Sequence, residues 1–175
     1  MHDRLIQYLT SNGLLKGNFP ITKELMLEAS KAYIALSGTE GKKVKRGDLR
    51  YNLKLLALSL VKYKRENKLN VSEGFVYFIS NPAWKHKFKV GMSLSPKERL
   101  AGYQTYSPMR DYELVHWSFW LDRRAGEKLI HSLYPNREHE WVEISQRKLQ
   151  KIFTEVNKLS GMEDIIDYVY ENLVP

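Results

Sequence analysis

The sequence predicts an α+β fold, a small antiparallel three-stranded sheet flanked by helices and preceded by a helical, basic amino-terminal region. Two runs, FVYFIS at 75–80 and FKVGMS at 88–93, are rich in β-branched and aromatic residues, and a polar, proline-containing connector joins them as a hairpin. The first 70 residues read as helical instead. After Asn70 the order is strand, strand, helix, strand, helix, short strand, helices, an α+β pattern. The 175 residues thus divide into a helical basic region, 1–70, and a sheet-containing domain with carboxyl-terminal helices, 71–175.

Taken in order, His2 to Thr10 forms a short amphipathic helix ended by Ser11-Asn12-Gly13. Pro20 precedes a second helix, Thr22 to Ser37, closed by Gly38. The basic connector TEGKKVKRGD leads to a helix from Asp48 to Asn67. Leu49, Leu53, Leu56, Leu60 and Tyr63 make its apolar stripe, and Arg50, Lys54, Lys62 and Arg65 lie opposite. In the second domain, Ser95-Pro96-Lys97-Glu98 starts a helix with a serine cap, proline at the first helical position and glutamate closing a capping box. That helix runs to Gln104. Tyr112 to Leu121 is the third strand, and a helix from Arg123 to Tyr134 is stopped by Pro135-Asn136. EWVEIS is a short strand or extended piece. Ser145 caps a helix carrying Leu149, Ile152, Val156 and Leu159, and a last amphipathic helix runs to the carboxyl terminus.

An apolar fraction of 43% and four tryptophans suffice for a packed core and exclude a disordered chain. The absence of cysteine excludes disulfides and thiolate zinc sites and fits a reducing compartment. No apolar run approaches the ~18 residues of a membrane span. The amino-terminal MHDRLIQYLT lacks a signal peptide's long apolar region. The expectation is a soluble, cytoplasmic protein with no membrane partner. The formal net charge of +8 is unevenly placed: residues 1–70 hold 14 Lys/Arg against 6 Asp/Glu, and residues 71–175 hold 14 of each. A basic block beside a neutral domain points to a polyanion, nucleic acid being the usual one. Lys42, Lys43, Lys45, Arg46, Arg50 and Lys54 are its candidate phosphate contacts; a well-solvated helical surface is the other reading.

Three groups in the second domain could carry chemistry. Tyr77 shares a strand face with Phe75 and Ile79, and Lys89 lies on the partner strand; a tyrosine there is ordinarily a core aromatic. Arg99 and Tyr103 are four apart on one helix face. Arginine at such a place clamps phosphate and stabilises charge developing in phosphoryl transfer, although exposed helix arginines are common. Glu127 and His131 are likewise four apart, after Arg123-Arg124. A single carboxylate can hold magnesium when water and substrate phosphate complete the shell; otherwise Glu127 is an ordinary surface residue. There is no glycine-rich phosphate loop, nucleophile elbow or HExxH pair, and His131 and His139 lack a thiolate neighbour for zinc.

Together these pieces resemble the GIY-YIG nuclease family, over residues 73–145. The matches are Val76-Tyr77-Phe78, Lys89-Val90-Gly91, Arg99 in PKERLAGY and Glu127 in AGEKLIH. EKLIHSLYPNREHEWVEIS is similar to the phage-associated branch, with lysine replacing the second tyrosine, an E-x3-H helix and a Glu-Trp strand. The resemblance implies a metal-dependent endonuclease acting on nucleic acid, more readily DNA than RNA, in a bacterial or phage-infected cell. It implies that Tyr77 assists deprotonation of the attacking water, directly or through the metal. Glu127 would hold one divalent cation, Mg²⁺ or Mn²⁺, and Arg99 would neutralise transition-state charge. A tyrosine of ordinary pKa, about 10, is a poor base at neutral pH, so this role needs nearby cations, which Lys89 and Arg99 could supply. Tyr103 and His131 are expected near the nucleic acid, His131 also orienting Glu127; Trp141 is expected near the site as well, there closing the core. Gly91 is expected to let its strand pass close to substrate or to a neighbouring side chain. Two other classes remain: a catalytically inactive nucleic-acid-binding or regulatory protein of the same fold, and a module whose basic helices meet an acidic protein.

Overall fold

The computed structural model describes residues 1–38 and 42–174; the start of the expected basic connector, 39–41, lies outside the described residues, as does 175. The chain packs as two compact units, Met1–Val71 with Met162–Pro175, and Ser72–Gly161. The last helix therefore goes with the amino-terminal helices, whereas the sequence reading kept it with the sheet. An amphipathic stripe reveals that a helix has a partner and says nothing of which one.

The first unit consists of α1 (His2–Ser11), α2 (Lys23–Ser37), α3 (Arg46–Glu66) and the final helix, Glu163–Asn172. Thr22 Oγ1 accepts from the Leu25 N–H at 3.1 Å to start α2, and Gly38 ends it in the left-handed conformation (φ 62°) that only glycine adopts without strain. Leu49, Leu53, Leu56 and Leu60 of α3 are buried as the stripe predicts, with Tyr63 at its margin. Leu5, Leu9, Met26, Ala29, Ile165, Ile166 and Val169 complete this core. No helix among the described residues is long and apolar enough to cross a membrane.

The second unit holds β1 (Gly74–Ser80), β2 (Lys87–Ser93), α4 (Pro96–Thr105), β3 (Glu113–Trp120), α5 (Arg123–Ser132), β4 (Trp141–Glu143) and α6 (Gln146–Leu159); the final helix of the first unit is α7. The sheet has four strands, not three, in the order β3-β1-β2-β4, all antiparallel. The fourth is the three-residue piece inside EWVEIS, pairing Lys87 with Glu143, Phe88 with Val142 and Lys89 with Trp141. A strand so short carries almost no periodicity of its own.

β1 is buried nearly end to end because strands cover both its edges and α4 and α5 pack against it. One sheet face presents Val76, Phe78, Phe88, Val90 and Val142 to Ile130 of α5 and Phe153 and Val156 of α6, forming the core of this unit. Alternation turns Tyr77, Lys89, Gly91 and Trp141 to the other face. Gly126 lets α5 lie directly on the Trp120 indole, where a Cβ would collide. Asp122 caps α5 by accepting from the Arg124 and Ala125 N–H groups, both at 3.0 Å. Of the two expected serine caps, Ser95 accepts weakly from the Glu98 N–H at 3.5 Å, and Ser145 makes no side-chain cap. The Ser95 N–H donates to Ser93 Oγ at 2.9 Å, so the reciprocal arm of the expected capping box has another acceptor.

Candidate active site

The site is built outward from the β1–β2 pair. Tyr77 stands opposite Gly91, and a Cβ at Gly91 would run into the Tyr77 hydroxyl and ring. The missing side chain thus lets the phenol lie across β2. The neighbour that Gly91 accommodates is Tyr77 itself.

α4 packs against β1, β2 and β3 and brings two side chains one turn apart to that phenol. The Tyr103 hydroxyl is 3.3 Å from the Tyr77 hydroxyl. The Arg99 guanidinium lies 5.5 Å from the centre of the Tyr103 ring and within electrostatic reach of the Tyr77 oxygen. From β2, Lys89 Nζ lies 5.1 Å from the same ring centre. Tyr103 is therefore the hub, touched by Tyr77, Arg99 and Lys89. Burial pushes the Tyr77 phenol well above the ordinary tyrosine range, Tyr103 adds to the rise, and Arg99 offsets only part of it. The sequence reading looked to cations to make Tyr77 basic; in the folded site desolvation outweighs them.

Glu127 arrives from α5. His131, one turn further on, has Nε2 2.9 Å from the Val90 carbonyl oxygen, which accepts its N–H. That contact anchors α5 to β2 between Lys89 and Gly91, where the β4 pairing has ended. Glu127 is half-buried and makes no hydrogen bond or ion pair among the described residues. Burial raises its pKa above the usual carboxylate range, with His131 lowering it, Glu140 raising it and Lys89 lowering it by smaller amounts. The four expected site residues are thus gathered by the fold: Tyr77, Arg99 and Lys89 around Tyr103, and Glu127 linked to them through the charges of Lys89 and Glu140.

Residues 74–157 match the T5orf172 domain. This is a phage-associated domain of the nuclease type. The match runs from β1 into α6 and contains every residue of the cluster just described. No curated protein and no solved structure matches the chain.

Within the matched segment the structure adds Glu140, which sequence reasoning did not single out. Its Oε2 lies 2.7 Å from Lys89 Nζ, and Glu138 Oε2 lies 3.2 Å from Lys87 Nζ. Lys87-Phe88-Lys89 therefore faces Glu138-His139-Glu140, two like-spaced pairs of opposite charge. The antiparallel β2–β4 register does not supply these pairs, since it sets Lys87 opposite Glu143 and Lys89 opposite Trp141; the turn before β4 brings them. Burial works to lower the Lys89 pKa, but the contacts with Glu140 and Tyr103 outweigh it, so the ammonium stays charged. Lys89 is held by Glu140 and Tyr103 rather than by Tyr77. Trp141, expected to close the core, instead shares the Lys89 face and meets the Trp84 ring edge-on at 5.3 Å, because its neighbour Val142 takes the core side.

Among the described residues no group of three or more His, Asp or Glu side chains could cage a metal. Glu140 is engaged by Lys89, which leaves Glu127 as the carboxylate with spare coordinating capacity. One such carboxylate suits a hard cation that completes its shell with water and phosphate oxygens.

The six candidate cations of the first unit fall into different classes. Lys42, Lys43 and Lys45 are exposed before α3. Arg46 is bound to Asp167 at 2.7 Å and lies 4.7 Å from the centre of the Tyr170 ring. Arg50 forms a two-pronged bridge to Glu163, Nε to Oε1 at 2.7 Å and NH2 to Oε2 at 2.9 Å. Lys54 is largely buried, and burial, assisted by Arg50, lowers its pKa to about 8. The expected cationic face of α3 is thus partly occupied by the acidic helix α7.

Proposed function

We propose that the T5orf172 segment is a GIY-YIG-type endonuclease that hydrolyses phosphodiester bonds, most readily in DNA, with a divalent cation, in the cytoplasm of a bacterial or phage-infected cell. What supports this reading is that Arg99, Tyr77 and Tyr103 converge, while Glu127, a half-buried carboxylate within electrostatic reach of Lys89 from the same cluster, makes no hydrogen bond or ion pair among the described residues. Exposed arginine, hydroxyl donors and an uncommitted carboxylate are what a scissile phosphate and its counter-ion require.

Glu127 would hold Mg²⁺ or Mn²⁺, which when bound supplies Lewis-acid charge and lowers the pKa of a water. His131 keeps α5 in place so that Glu127 meets the phosphate from one side. Arg99 donates to the non-bridging oxygens from the other side, and its charge counters what develops in the transition state. Tyr77, protonated at neutral pH like any tyrosine and held so more firmly by burial, serves as a hydrogen-bond donor that positions the phosphate or attacking water. Lys89, charged through Glu140, raises the positive potential around Tyr103. Lys42, Lys43 and Lys45 of the first unit would add sequence-tolerant, salt-sensitive binding.

The test is conversion of supercoiled plasmid to nicked or linear form with Mg²⁺ or Mn²⁺. Wild type is expected to cut, and Glu127→Ala and Arg99→Ala to lose cutting while remaining folded. Cleavage undiminished in Glu127→Ala would overturn the assignment. A second reading, a binder of the same fold without turnover, is favoured by the raised Tyr77 pKa and by the capture of Lys89. DNA binding with no nicking under either metal selects it.

A further inference from the structure

Beside the phosphate site lies a row of aromatic rings that the proposed hydrolysis does not use. Tyr103 meets Tyr112 at 5.7 Å between ring centres, Tyr112 meets Trp84 at 6.4 Å, and Trp84 meets Trp141 at 5.3 Å. The row comes from four elements: α4, the start of β3, the β1–β2 loop and β4. Trp84, 47% exposed, is its open end, and Tyr103, against Tyr77, is its catalytic end.

This row is held rigid. Asn81 Oδ1 accepts from the Ala83 N–H at 2.9 Å, shaping the loop that carries Trp84. Asp111 Oδ1 accepts from Asn81 Nδ2 and from Ser107 Oγ, both at 3.0 Å, joining that loop to the α4–β3 loop. The Gln104 side chain donates to the Tyr112 carbonyl at 2.7 Å and accepts from the Tyr112 N–H at 3.1 Å. Two loops are thus fastened to each other so that a large indole stays in water. Lys85 and Arg110 are exposed on the same two loops, with no ion pair among the described residues.

We propose that this row is a stacking platform for unpaired nucleobases, so that the substrate is single-stranded, or carries an unpaired segment, next to the scissile phosphate. Aromatic faces accept any base without reading its edges, and flanking cations follow the phosphate backbone. A closed duplex keeps its bases stacked on each other and has no free face to offer Trp84. The inference rests on the nuclease reading for what happens at the phosphate, but it concerns binding.

The experiment therefore uses the full chain carrying Glu127→Gln, without divalent metal, so that cleavage plays no part. Fluorescent short oligo-dT, oligo-rU and a duplex of the same length are titrated, and tryptophan emission is read in parallel. Expected are quenched emission on adding either single strand and single-strand binding about tenfold tighter than duplex binding, the scale of one stacked base. Trp84→Ala should erase that preference and Trp84→Phe should keep most of it. The DNA and RNA arms show which backbone the platform takes. Equal affinity for single strand and duplex, or a preference unchanged in Trp84→Ala, overturns the proposal. Should Trp84→Ala fail to fold, unquenched emission on the intact Trp84 chain overturns it equally. Plasmid nicking by wild type is scored separately, so loss of either reading is visible without the other.

Discussion

Each of the two units contains fourteen Lys/Arg and ten Asp/Glu once α7 is counted with the amino-terminal helices, a formal +4 apiece, and they deploy that charge differently. In the helical unit Lys23, Arg46 and Arg50 are bound to Asp164, Asp167 and Glu163 of α7. Three cations there are engaged by α7, and Lys42, Lys43 and Lys45 are among those that stay exposed. In the sheet unit Arg99 contacts phenols alone, and Lys89 is charged but turned toward the site by Glu140. Equal charge therefore does not mean equal readiness to meet a phosphate. What separates the units is whether a carboxylate has already taken the guanidinium.

The sharpest way to break this comparison is to remove charge from both units and compare. Arg99→Ala should lower the nicking rate about 10²–10³-fold, the usual scale for losing a preorganised donor at a developing charge. Arg50→Ala should leave that rate within a factor of about three. Comparable losses would erase the distinction. Gly91→Ala tests the geometry that brings Tyr77 to Arg99: the new methyl must displace the phenol, costing about 1–3 kcal/mol of stability in a denaturant melt. Replacing Lys42, Lys43 and Lys45 together by alanine should weaken DNA binding alike for all sequences and reduce the log–log salt slope by about 3. Arg50→Ala should cost about 1 kcal/mol of stability, because its bridge to Glu163 is two-pronged and only partly exposed.

The smallest effect concerns Glu127. A carboxyl whose folded pKa is raised by burial weakens the fold where it is ionised, at neutral pH, and the cost disappears below its unfolded pKa. Glu127→Gln should therefore melt higher than wild type at pH 7, by on the order of 1 °C, with the difference gone below about pH 4. Mg²⁺ should raise the wild-type melting temperature and leave that of Glu127→Gln unchanged.

Much of this was legible in the sequence, and the reasons differ by residue. The α3 stripe, the Thr22 and Gly38 helix ends and the β1–β2 hairpin are local patterns, and each appears within a residue or two of its expected bounds. The order of short motifs singled out Tyr77, Arg99 and Lys89, which the fold sets around Tyr103. Three features were not, because they depend on which distant segment arrives. The partner of α7 was open because an apolar stripe fits several neighbours. The place of β4 beside β2, and with it Glu140, was hidden because three residues do not announce a register. The raised Tyr77 pKa was hidden because counting cations reveals attraction but not desolvation.

The hold of His131 on Val90 has a diagnostic consequence. A backbone carbonyl only accepts, so the imidazole donates to it through Nε2–H, and it does so whether or not the ring carries a second proton. The footing of α5 on the sheet is therefore indifferent to acid across the range where Glu127 loses its charge. A fall in activity at low pH is then not a loosening of this contact.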